Sequence, residues 1–324
     1  FIAQNDASLN QSLNVDGATT LNSRLTTAGD ASFNAGLSVD GHMNVDQTAT
    51  ITGKFIAQND ASLNQSLTVD GSTTIKNTLT TTGDASFNAG LSVDGALNVD
   101  QTATITGKFI AQNDASLNQT LTVDGATTLN SRLTTAGDAS FNAGLSVDGH
   151  MNVDQTATIT GKFIAQNDAS LNQSLTVDGA TTLNSRLTTA GDASFNAGLS
   201  VDGHMNVDQT ATITGKFIAE NDASLNQTLT VDGATVLKHT LTAFRDASFN
   251  AGLSVDGNLN VDQTATITGK FIAENDASLN QTLTVNGATV LKNTLSATGD
   301  ASFNAGLSVD GNLNIDSNSV LSGS

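Results

Sequence analysis

His42, His150 and His204 have the widest chemical range of any side chains in this sequence. An imidazole can ligate a metal or move a proton near neutral pH. The same place in the other repeats holds Ala96, Asn258 and Asn312, so no ligand set is kept, and these histidines read as solvated corner residues. His239 is alone in its place. The carboxylates Asp6, Asp16, Asp30, Asp40 and Asp46 could line up in rows that hold Ca²⁺, the one cofactor the sequence leaves open. The calcium nonapeptide G-G-x-G-x-D is absent, and Asp also makes a good corner by bonding its own backbone. Thr48-Ala49-Thr50-Ile51-Thr52 is a hydroxyl run that could order water or ice, but residues eighteen apart on one outward row, Ile2, Thr20 and Ser38, do not keep it flat. Phe244-Arg245 stands where the first repeat has Ala28-Gly29 and the last has Thr298-Gly299. It reads either as a contact for a partner or as drift in a tolerant corner. An active site is one constellation in one pocket, whereas here nearly every environment recurs about six times, so no enzyme is expected. A glycosidase would need a unique carboxylate pair in a groove, and none is visible.

The elements that position these residues follow from self-similarity. Residues 1–54 return as 55–108, 109–162, 163–216, 217–270 and 271–324, one continuous array with no linker. Each copy divides into nine hexads, beginning FIAQND, ASLNQS, LNVDGA. Places one and three of the hexad are apolar or small and never charged, whereas the charges fall at places four to six. Residues two apart share one face of an extended strand. Asn, Asp, Gly, Ser and Gln then follow, residues that tolerate positive φ and bend the chain. Each hexad is therefore a short strand plus a corner, the plan of an all-β helix of triangular section. Inward pairs such as Phe1/Ala3, Ala7/Leu9 and Ala31/Phe33 set a large residue against a small one, as a core of fixed width requires. Two windings satisfy the hexad. A single-chain solenoid stacks residue i on i+18, and a three-chain winding stacks i near i+6 of a neighbour. The 54-residue copy is three 18-residue turns, which favours the first. A twelve-residue rhythm, DASLNQSLTVDG then ATTLNSRLTTAG then DASFNAGLSVDG, favours the second.

Composition removes several classes. Twelve Lys and Arg against 31 Asp and Glu give a formal charge of −19, so nucleic acid and anionic membrane surfaces are repelled. There is no Cys, hence no disulfide and no thiol chemistry. No apolar run approaches the ~20 residues of a membrane helix. The opening Phe1-Ile2-Ala3-Gln4 has no basic or apolar leader and is the middle of a repeat, so a longer parent chain is expected.

Runs such as Leu121 to Asn130, LTVDGATTLN, and Asp138 to Leu145, DASFNAGL, resemble the shaft repeats of phage tail fibres and the repeat-rich fibre-like proteins of large algal DNA viruses. That resemblance implies a structural role, namely a stiff shaft on a virion or cell surface that spaces a terminal binding module. It also implies self-association as a homotrimer or filament, and it tips the choice of winding towards three chains. The receptor is not legible. The alternative is a repetitive adhesin, or a face that binds ice, mineral or glycan.

Overall fold

The computed structural model describes residues 1–322. The first strand, Ile2–Ala3, has two residues; every later hexad forms a strand of three residues, and a corner of about three residues follows. No helix occurs among the described residues. The chain divides into two compact units, Phe1–Gly161 and Lys162–Ser324. Each holds 27 strands among the described residues.

Within each unit, successive strands fall in turn on three parallel sheets, so three strands make a turn and each sheet gains one strand per turn. We number the sheets by the order in which the chain meets them. In the first unit Thr19 pairs with Leu37 on the first sheet, Leu25 with Met43 on the second and Ala31 with Ala49 on the third. In the second unit the equivalent pairs are Phe217 with Thr235, Ala223 with Leu241 and Leu229 with Ala247. Every register is i to i+18. The Leu25 amide donates to the His42 carbonyl at 2.9 Å, and the Asn22 amide donates to the Ala3 carbonyl at 3.0 Å. The protein is thus an all-β, triangular β-solenoid, as the hexad predicts. The ladder partners described here lie eighteen residues apart in the same chain.

The core lies between the sheets and follows the hexad. Phe33, Phe87 and Phe141 are fully buried, whereas Asp16, Arg24 and Lys54 are exposed. Eleven of the thirteen Phe are buried; Phe1 is 51% and Phe244 47% exposed. Inward residues of the first and last turns, including Leu313 and Leu321, are open because an end turn is covered on one side only. Three successive layers carry different sets: Phe1, Ala3, Ala7, Leu9, Leu13, Val15; then Thr19, Leu21, Leu25, Thr27, Ala31, Phe33; then Leu37, Val39, Met43, Val45, Ala49, Ile51. Each set supplies about twenty side-chain heavy atoms, which is how a core of constant section stays filled without voids. The cost is polar. Thr27, Thr73, Thr81, Thr127 and Thr135 point inward, and their hydroxyls have no partner.

The corners are built differently from the sequence expectation. No described residue, glycine included, has positive φ. Glycine is needed for close approach of the turns. A Cβ on Gly41 would lie 2.5 Å from the Ser23 carbonyl carbon, and one on Gly95 2.4 Å from that of Asn77. Aspartate likewise does not chiefly bond its own backbone; it reaches the next turn. The Asp30 carboxylate accepts the Thr48 amide at 3.1 Å, Asp84 accepts that of Thr102 at 3.1 Å, and Asp192 accepts that of Thr210 at 3.0 Å. These bonds satisfy corner amides that the strand ladders leave over.

Candidate functional site

The corners carry nearly all the titratable groups, stacked in columns at spacing 18. On the corner between first and second sheets, Asp6, Arg24, His42 and Asp60 form one column. The Asp6 carboxylate accepts the Ser23 hydroxyl and, at 3.1 Å, the Arg24 amide. Those two bonds, with the Arg24 charge beside them, hold its pKa below the usual carboxylate value. Asp114 is lowered in the same way by the Ser131 hydroxyl at 2.6 Å, the Arg132 amide and the Arg132 charge. Asp300 is lowered by Ser317 and by Asn318.

Above Arg24 the column opens into a shallow depression of about 510 Å³, bounded by Arg24, His42, Asn44, Asp60, Ser62 and Thr78. The second unit repeats it at about 480 Å³ with Arg186, His204, Asn206, Asp222, Ser224 and Thr240. His42 Nδ1 is 3.6 Å from Asp60, and His204 Nδ1 is 3.9 Å from Asp222. Ser, His and Asp are the residue types of a nucleophilic triad. Here the imidazole and carboxylate are about half exposed, beyond hydrogen-bond distance, and face open solvent. A triad needs a bonded, desolvated base and an oxyanion cradle, and this set has the open geometry of a weak surface contact. His150 occupies the same place in its turn, and His239 lies one residue earlier in its own corner.

The Asp rows do not form carboxylate clusters. On the corner after the third sheet the first unit reads Asp16, Asn34, Thr52, Asp70, Asn88, Thr106, Asp124, Asn142. One residue in three is an acid, and each acid is followed by its own donor: Asn34 donates to Asp16 at 2.8 Å, Asn88 to Asp70 at 2.7 Å and Asn142 to Asp124 at 2.7 Å. In the second unit Asn196 donates to Asp178 at 2.6 Å. That column therefore separates like charge, and among the described residues no three His, Cys, Asp or Glu side chains converge on a common centre.

Phe244 keeps its ladder bond, its amide donating to the Leu225 carbonyl at 3.0 Å, and its ring is half exposed at the corner after the second sheet. Arg245 follows where other copies have Gly83, Gly137 and Gly191, whose added Cβ would lie 2.7–2.8 Å from Gln65, Gln119 and Gln173. That corner cannot keep the path of its counterparts.

Two outward rows escaped the sequence reading, which sampled only the row of Ile2. The third sheet presents Thr50, Thr68, Ser86, Thr104, Thr122 and Ser140 in register, an unbroken hydroxyl column. The second unit repeats it from Thr176 and Ser194 to Thr284 and Ser302. Counting eighteens from Thr50 would have found it. The second row, on the first sheet, is described below. No family model, curated protein or solved structure matches this chain.

Proposed function

We propose that the protein is a structural element, a stiff acidic shaft on a virion or cell surface that holds a binding module away from that surface, and that it is not an enzyme. The observation that supports this reading is the repetition itself. The same core, ladder and corner environments recur turn after turn, and the depressions beside His42 and His204 are open and shallow. Continuous parallel ladders over an apolar core resist bending. The net charge of −19 keeps such an object soluble. Scattering or electron microscopy of the purified chain, with its mass, tests the reading. Strands are ~4.8 Å apart, so each nine-turn unit accounts for about 43 Å, a single chain wound throughout for about 85 Å, and an interleaved three-chain winding for about 260 Å. A rod of either length supports the shaft, and the mass tells the windings apart. A flexible or rounded particle, or hydrolase turnover abolished by one point substitution, overturns it.

A second reading, a water-ordering or ice-binding face, is favoured by the hydroxyl column of the third sheet. Every third turn widens it, as at Thr48, Thr50 and Thr52. Thermal hysteresis lost on replacing Thr104 and Thr122 by Lys would support it; its absence in the intact chain would remove it.

A further inference from the structure

Two kinds of change that break the repeat in the second unit fall on the face of the first sheet. The outward row of the first sheet reads Ile56, Thr74, Ser92 in the second copy, but Ile218, Val236, Ser254, Ile272, Val290 in the last two. These residues are neighbours in register: Ile218 with Val236, Val236 with Ser254, Ser254 with Ile272, and Ile272 with Val290. Where earlier copies have Gln58, Gln112 and Gln166, the last two have Glu220 and Glu274, the only glutamates in the chain. Ile218 is the outward residue of the strand Phe217–Ala219, and the exposed Lys216 and Glu220 flank that strand at its two corners. Lys270, Ile272 and Glu274 repeat the arrangement. The lysines and glutamates are exposed, and the apolar row between them is partly so.

We infer that this face of the second unit is an isologous contact for a second copy of the chain. A two-fold axis parallel to the stacking direction reverses the strands but keeps the turns level. Lys216 of one copy then faces Glu220 of the other, Lys270 faces Glu274, and Ile218, Val236, Ile272 and Val290 each meet their own counterpart. Self-complementarity of this kind is what a closed pair demands. Glu274 lies 3.6 Å from Lys292 of its own copy in an exposed pair, which leaves it free to share. The five turns from Ile218 to Val290 measure about 24 Å by about 13 Å, roughly 310 Å² per copy. That is below the ≈ 800 Å² of a standard interface, so the dimer is weak and concentration-dependent. This goes beyond the shaft reading and does not depend on it.

Sedimentation over a range of concentrations tests it on the intact chain and three double variants, with circular dichroism as the check of fold. The intact chain should pass from 33.0 kDa to twice that mass. Lys216→Glu with Lys270→Glu, and Glu220→Lys with Glu274→Lys, should each weaken association on the order of 100-fold, and an equimolar mixture of the two should restore it. Val236→Thr with Val290→Thr, which writes in the residues of earlier copies, should weaken it about tenfold. An intact chain monomeric throughout overturns the inference. So does association that all three variants leave unchanged, or a mixture that fails to recover.

Discussion

Thr81 shows how a residue can be placed by repetition against its own chemistry. Its hydroxyl is buried without a partner, and the equivalent places in the last two copies are Ala243 and Ala297. An unmade hydrogen bond costs about 1–3 kcal/mol, so Thr81→Val, which keeps the shape, should be neutral or stabilising by up to about 2 kcal/mol in denaturant melts. The carboxylates of the first corner behave oppositely. Asp6 and Asp114 have folded pKa values below 3.8, the ordinary carboxylate value. A depressed value means that their contribution is fully present above the unfolded pKa and is lost as pH falls through the folded one. Stability should hold above about pH 5 and fall below about pH 4. Asp6→Asn and Asp114→Asn together should flatten that acid limb in melts taken from pH 6 to pH 2.5.

At the scale of one strand and its corner, glycines divide by what lies beneath them. An added Cβ meets backbone at 2.4 Å on Gly95 but only the Lys108 carbonyl oxygen at 3.2 Å on Gly90. Gly95→Ala should therefore lower stability by about 2 kcal/mol or more, whereas Gly90→Ala should change it by under about 1 kcal/mol. Phe87→Ala should cost about 3–5 kcal/mol. Hydrogen exchange should show the loss confined to the turns next to Phe87, because stacked repeats couple to their neighbours. The strand was legible in the sequence because charge is excluded from places one and three, as in Leu37-Ser38-Val39. The cause of the corner was not. Gly41 follows Asp40 like the glycine of a positive-φ turn, and only the three-dimensional stack reveals Ser23 beneath it. The twelve-residue rhythm does not mark equivalent corners, for a related reason. Gly17, Gly29 and Gly41 look equivalent in sequence but lie on three different corners, since twelve residues are two strands of a three-strand turn. The hydroxyl column and the Lys216 to Glu220 face were missed because each emerges only when residues eighteen apart are read from the right start.

For the whole molecule, the period of three turns sets how its charge is distributed. Successive acids of one column, such as Asp16, Asp70 and Asp124, are three turns apart, or about 14 Å. The Debye length is ≈ 8 Å at 0.15 M ionic strength and 30 Å at 0.01 M. At physiological salt, then, each acid is screened from the next one along its column, and the amide of Asn34 or Asn88 is the nearest polar group it meets. In dilute buffer the screening fails, and a net charge of −19 repels itself along every column at once. The melting temperature should accordingly climb between about 10 and 150 mM NaCl and level off beyond it. In dilute buffer the same columns act to push the turns apart, and added salt relieves that push.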